Sequence, residues 1–238
     1  MKETKPIGRK AYGSIPHLPN SRMGPADHAC HPGQERICCE KLRDRHDRVI
    51  VTEKLDGSCM SVAKTEAGEI IALGRAGYPA ASSPFDHLRQ FNPWVASQAY
   101  RFDAMLQPGQ RVVGEWLNVA TGTRYDLPHE PFVAFDIMIG DRRIPHDDFL
   151  SVCAVGGFVT AKVLSDGPSV SIADVLAVLG ERGHHGALET VEGAVWRVES
   201  RGEFDFIAKF VRHDKIDGKY LPGLHGNTEY TPNAWTAP

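Results

Sequence analysis

Two apolar β-type runs, Arg48 to Glu53 and Cys59 to Lys64, meet at the polar hexapeptide Glu53-Lys54-Leu55-Asp56-Gly57-Ser58. Runs of this length read as strands, and Asp56-Gly57 reads as a pair of turn residues, so the spacing predicts two strands joined as a hairpin. The same punctuation recurs at Glu69 to Leu73, Arg111 to Trp116, Pro131 to Met138, Gly193 to Glu199 and Phe204 to Val211. Helical patterns run from Pro93 to Met105 and from Ile172 to Arg182, the latter with Ser171 as cap and Gly183 as stop. A third helical candidate, Gln34 to Asp47, interleaves acids with bases. Clustered strands with occasional helices make the class α+β, not a regular βαβ alternation.

At 238 residues the chain can bury a core without disulfides, as one large domain or one domain with appendages. Its 27 Lys+Arg and 30 Asp+Glu leave a formal charge of −3, so a grip on nucleic acid has to come from a local basic surface. No apolar run approaches the roughly 18 residues that a membrane helix needs, and the polar N-terminus lacks a leader pattern. The odd set Cys30, Cys38, Cys39, Cys59 and Cys153 contains no CxxC pair, and it fits reduced thiols. The expected location is the cytoplasm, with no membrane contact.

Lys54 sits where a solvated turn lysine would be unremarkable, but in a pocket it has chemistry. A lysine amine is protonated near neutral pH, and burial beside other cations can free its lone pair to attack phosphorus. Five further segments supply context: Gly74-Arg75-Ala76-Gly77-Tyr78, Val113-Gly114-Glu115-Trp116, Phe132 to Ile137, Glu192-Gly193-Ala194-Val195-Trp196 and Phe206-Ile207-Ala208-Lys209-Phe210. Taken singly, Glu115, Asp136 and Glu192 read equally as solvated strand ends, Arg75 as a loop arginine and Lys209 as a surface lysine.

In this order, K-x-D-G, an Arg, G-E, F-D, E-G and a strand lysine, the series resembles the covalent nucleotidyltransferase superfamily of ATP-dependent ligases and capping enzymes. Tyr12-Gly13, His17-Leu18-Pro19 and Gln34-Glu35-Arg36 bring it nearest to small, type-two RNA ligases. The resemblance implies a nucleotidyltransferase fold (an ATP-grasp-like ligase adenylation domain) of two antiparallel sheets flanked by helices around an ATP cleft. That domain would span residues 1–215, and 216–238 would form an irregular tail. In such enzymes the lysine, here Lys54, attacks the α-phosphorus of ATP and expels pyrophosphate. The AMP passes to an RNA 5′-phosphate, and a 3′-hydroxyl then seals the break.

The resemblance also implies the supporting roles. Glu53 would face the adenine amino group, and Asp56 and Gly57 would lie beside the lysine and ribose. Arg75 would contact the ribose and the RNA end, and Phe135 would stack on the base. Glu192 would engage Mg2+ or Mn2+, Glu115 would contact the ribose or the metal, and Lys209 would contact the α-phosphate. Relatives carry a second lysine near the last of these, where this chain has Ile207 and Val211, so Arg212 or Lys215 is expected to substitute.

Other assignments stay open. Arg36 to Arg48, including Arg43 and Arg45, and Arg212 to Lys219 are candidate phosphate contacts, or else a salt-bridged solvated face. His28, Cys30, His31, Cys38 and Cys39 have ligand chemistry but no familiar zinc spacing. His184-His185 reads as helix capping at a surface, and Cys59 as packing. RNA ends are the expected partner, with separate end-healing enzymes as candidate companions. The alternatives are a DNA ligase, a GTP-using capping enzyme and a noncatalytic binder of nucleic-acid ends.

Overall fold

The computed structural model describes residues 4–235. The first three residues of the expected 1–215 domain and the last three of the expected tail lie outside them. The strands are β1 (Asp47–Lys54), β2 (Ser58–Lys64), β3 (Ile70–Gly74), β4 (Gln110–Trp116), β5 (Asp126–Leu127), β6 (Phe132–Ile139), β7 (Arg142–Arg143), β8 (Val163–Gly167), β9 (Gly193–Ser200), β10 (Glu203–Val211) and β11 (Ala234–Trp235). They form a four-stranded sheet in the order β10-β9-β1-β8, a five-stranded sheet in the order β3-β2-β4-β6-β7 and a small β11-β5 pair. Every ladder in the two larger sheets is antiparallel. The α+β class with two antiparallel sheets is thus present.

The predicted hairpin is not. β1 pairs with β8 and β9, whereas β2 pairs with β3 and β4. Leu55 to Gly57 therefore crosses from one sheet to the other. Leu55 anchors the crossing because it is buried with Leu117, Tyr125, Leu127 and Val191 in an apolar cluster between the sheets. Hydrophobic burial across that gap outcompetes the local turn preference of Asp-Gly.

Helices cover the outer faces in shorter pieces than the patterns predict. They are α1 (Pro32–Cys39), α2 (Asp86–Arg89), α3 (Phe91–Ser97), α4 (Ala99–Met105), α5 (His146–Gly156) and α6 (Ile172–Leu179). The Gln34 to Asp47 pattern ends at Cys39, after which Arg43 folds its guanidinium and backbone N–H onto Asp47. The Pro93 to Met105 pattern breaks at Gln98, whose φ of −106° and ψ of 9° are not helical. α6 keeps Ser171 as its cap, accepting from the Asp174 N–H, but stops at Gly180 and not Gly183. Neither β8 nor α5 stands out in the sequence pattern. β8 offers only Val163 and Leu164 as apolar signal, because it is an edge strand with no fully buried side chain.

Two aromatic-rich cores result. Phe91, Phe102, Trp116, Phe132 and Phe158 fill the space under the five-stranded sheet, and Trp196, Val49, Val51 and Phe210 fill that under the other. The segment after Lys215 is tied down, and it ends in β11. The Asn233 side chain donates to the Leu117 carbonyl and accepts from the Tyr125 N–H, and the Tyr220 N–H donates to the Thr121 carbonyl. Among the described residues no helix is long and apolar enough to cross a membrane.

Candidate active site

The sheet-to-sheet crossing places Lys54 in the wall of a cleft of about 720 Å³. Across β1 and β9, Lys54 pairs with Gly193, so Glu192 comes alongside it. Lys54 Nζ donates to Glu192 Oε2 at 2.6 Å. Burial pulls the ammonium pKa down, but the Glu192 and Glu115 carboxylates outweigh it and hold Lys54 above the usual lysine range. The sequence-based expectation that neighbouring cations free the lone pair is corrected here, because the nearest charges are carboxylates. Lys209 does stand on the same sheet face, opposite Val195, and burial and Lys54 both lower its pKa.

The opposite wall comes from the five-stranded sheet. Glu115 on β4 lies opposite Cys59 on β2 and accepts a hydrogen bond from the Gly57 N–H at 3.0 Å. Burial pushes its carboxyl up to about 7, with Glu192 and Asp56 adding to the rise against the pull of Lys54. A register shift between β4 and β6 leaves Phe135 as the extra residue, opposite no partner, and such a bulge re-aims a side chain. Phe135 is half-buried in the cleft wall with the Tyr12 ring edge-on at 5.3 Å. Arg75, just past β3, is exposed at the rim and donates to the Gly13 carbonyl at 3.1 Å.

Glu53, Lys54, Asp56, Gly57, Arg75, Glu115, Phe135, Glu192 and Lys209 all line this one cleft. Three of them sit differently from expectation. The Glu53 carboxylate, expected against a base, is instead fully buried against the turn after α6. There it accepts the His184 N–H at 2.8 Å, and its Oε1 has no partner. Asp56 turns away from the lysine and accepts from Thr121 Oγ1 and Thr123 Oγ1, each at 2.9 Å, and from the Gly122 N–H at 3.2 Å. Gly57 is a glycine for space and not for turn geometry, since a Cβ there would lie 2.6 Å from the Trp116 carbonyl oxygen.

Neither candidate for the second lysine faces the cleft. Lys215 Nζ is buried, donating to Thr123 Oγ1 at 2.6 Å and to the Thr190 carbonyl at 3.0 Å, with Asp56 Oδ2 3.6 Å away. The Arg212 guanidinium donates to the Gly180 carbonyl. Two arginines of the proposed phosphate stretch are committed elsewhere as well. Arg43 pairs with Asp47 and Asp205, and Arg48 with Asp147 and Asp166, which is the salt-bridged alternative. His185 is not on the surface but buried, with its Nδ1 2.9 Å from His129 Nε2.

Sequence reasoning missed the groups that hold the expected ones. Residues 16–22 run along the edge of β10, where the Lys209 N–H donates to the Pro16 carbonyl and the Leu18 N–H to the Lys209 carbonyl. This brings Asp27 Oδ1 to 3.5 Å from Lys209 Nζ, and Asp27 Oδ2 to 3.2 Å from His17 Nε2. No local pattern marks Asp27, Thr121 or Thr123, because each contact spans a long stretch of chain.

Among the described residues no three His, Cys, Asp or Glu side chains converge to hold a metal. Cys38 is buried in the core of the four-stranded sheet, with Cys30 and Cys39 packed against it. Glu115 and Glu192 can supply one or two carboxylates to a divalent ion whose shell is completed by substrate phosphates. That arrangement is the habit of Mg2+ in phosphoryl-transfer sites.

A lysine, two carboxylates, a second lysine and an aromatic face line one cleft set between two antiparallel sheets. The RNA ligase family model matches residues 47–211, which is more than half of the chain. The chain belongs to the RNA ligase family. Two solved variants of the Naegleria gruberi RNA ligase with ATP and Mn resemble it at 16% and 14% identity, with TM-scores of 0.55 and 0.56. Each match covers 85% of this chain and 56% of the Naegleria chain. An archaeal ATP-dependent RNA ligase matches at 21% identity and a TM-score of 0.46, over 69% of this chain and 42% of its own. The chain thus spans roughly half the length of these relatives. No curated protein matches the sequence.

Proposed function

We propose that this chain is an ATP-dependent RNA ligase that works through a lysyl-AMP intermediate on Lys54. The observation that carries the reading is the cleft itself, in which Lys54 lies hydrogen-bonded to Glu192 with Glu115, Phe135 and Lys209 around it. In the first step the Lys54 nitrogen would bond to the α-phosphorus as the bond to the pyrophosphate oxygen breaks. One proton leaves the ammonium beforehand and a second as the phosphoramidate forms. Glu192 accepts the hydrogen bond from that ammonium, so it holds the nitrogen in place while the first proton is lost.

The AMP would then move to the 5′-phosphate of an RNA strand, and a 3′-hydroxyl would displace it to seal the chain. These transfers ask the protein mainly for positioning and for neutralisation of oxygen charge. Lys209 and Arg75 are the cleft cations suited to the α-phosphate and to the RNA end, and Phe135 offers its ring to the base. Mg2+ or Mn2+ held with Glu192 and Glu115 would shield the triphosphate charge. Preference for ATP rests on the family and on the ligands of its relatives, since Glu53 turns toward His184. Sealing of RNA breaks, with other enzymes healing the ends first, is the natural role of such an activity.

The test is incubation with α-labelled ATP or GTP and Mg2+ or Mn2+, followed by a denaturing gel, for wild type and Lys54→Ala. Label from ATP that is lost in the variant supports the reading. Label from GTP moves it to capping chemistry, and no adduct from folded protein leaves a noncatalytic end-binder.

A further inference from the structure

The cleft that holds Lys54 continues past Arg75 along the segment that follows β3, where Tyr78, Pro79, Ser83, Pro84 and Phe85 line it. Two large rings stand open to solvent there, Phe85 at 56% exposure and Tyr78 at 39%. Their backbone, in contrast, is fixed. Gly77 takes a φ of +89° against the Arg9 carbonyl, Ala80 is buried in the core, and Ser82 Oγ donates to the Pro79 carbonyl at 2.7 Å. The Phe85 N–H donates to Ser83 Oγ at 3.2 Å, and the Arg89 guanidinium donates to the Ser83 carbonyl at 2.8 Å. Rigid backbone under exposed aromatic side chains is the opposite of what a solvated loop requires, and exposed large rings lining a cleft mark a binding face.

The surroundings narrow the occupant. Phe85 has the His87 ring 6.0 Å away, and the buried His87 in turn has Tyr230 at 4.9 Å, so aromatic packing runs inward from the exposed Phe85 ring. Lys5 Nζ lies 5.1 Å from the Tyr78 ring centre, and the exposed Arg75 lines the same cleft three residues before Tyr78. Flat rings set among cations suit a polyanion with stackable bases better than an apolar peptide or a lipid tail.

We propose that Tyr78 and Phe85 form a stacking subsite for unpaired nucleotides next to the RNA end being joined, with Arg75 and Lys5 on the adjoining phosphates. This rests on the RNA ligase reading and adds to it a specific contact with the polynucleotide, on the adenylation domain's own surface.

The experiment is fluorescence anisotropy of a short 5′-phosphorylated single-stranded RNA with the full chain, without nucleotide. Wild type is compared with Tyr78→Ala, Phe85→Ala and Phe85→Trp, and each variant's melting temperature and sedimentation are recorded. Both alanine variants should fold normally and weaken RNA binding about 5- to 100-fold, the cost of losing one base stack, and tryptophan should keep it. RNA affinity unchanged in the alanine variants overturns the subsite. So does a wild-type dimer that the same substitutions dissociate at equal RNA affinity, because the rim is then an interface between copies. Failure here is separable from failure of the ligase reading. A wild-type lysyl adduct with Phe85-independent RNA affinity removes the subsite alone. Phe85-dependent RNA affinity without an adduct removes the ligase alone, and neither adduct nor RNA binding removes both.

Discussion

Lys54 Nζ and Glu192 Oε2 are 138 residues apart in sequence and 2.6 Å apart in space, and the pair holds the lysine in its charged form. The free cleft therefore keeps Lys54 as an ammonium. Replacing Glu192 by Gln removes the strongest of the charges that raise the lysine pKa, while burial, which lowers it, remains. The pKa of Lys54 should fall, so an amine-reactive label should modify Lys54 at lower pH in Glu192→Gln than in wild type. Peptide mapping of the label across a pH series reads this directly, and equal pH midpoints would remove the storage role from Glu192.

Glu115 supplies a pH dependence of known sign. Its carboxyl is raised from 4.5 to about 7, first by burial, so the folded state favours the protonated form. The stability this contributes is fully present below the unfolded pKa and is lost as pH rises through about 7. Glu115→Gln cannot ionise. In protein free of nucleotide and divalent metal, it should be more stable than wild type at pH 8 by up to about 3 kcal/mol. The gap should close toward pH 5, and denaturant titrations at the two pH values measure it.

Asp56 and Lys215 form a buried clamp behind the lysine, with Thr121 and Thr123 as the other jaws. Lys215→Met leaves the Asp56 charge short of its cation, and breaking one side of such a pair costs about 3 kcal/mol. Adding Asp56→Asn should cost less than the two single losses summed, since the first substitution has already spoiled the pair. A double-mutant cycle in urea tests this, and simple additivity would mean that the 3.6 Å contact contributes nothing.

Arg43 and Arg75 should separate in RNA binding. Arg43 is tied to Asp47 and Asp205, so Arg43→Gln should leave the salt slope of RNA affinity unchanged and act instead on stability. Arg75 is exposed on the cleft wall, and Arg75→Gln should reduce that slope by about 1. A fall in slope for Arg43→Gln would return the basic stretch before β1 to the RNA interface.

The strands that carry the candidate site were legible in the sequence because a strand announces itself locally, by apolar runs and the residues that end them. The observed β1, β2, β4, β6, β9 and β10 begin and end within a residue of the predicted bounds. The order of Lys54, Arg75, Glu115, Phe135, Glu192 and Lys209 along the chain carried the family resemblance. Their common cleft needed the fold. Asp56-Gly57 is a good turn in isolation, and only the burial of Leu55 among Leu117, Tyr125 and Val191 makes the same residues cross between sheets. Likewise the charge on Lys54, the Asp56 clamp and the Asp27 contact to Lys209 depend on partners distant in sequence. The sequence by itself determined which residues are present and on which strands. Tertiary structure decided what each one faces, because electrostatics and burial act through distances that local periodicity does not encode.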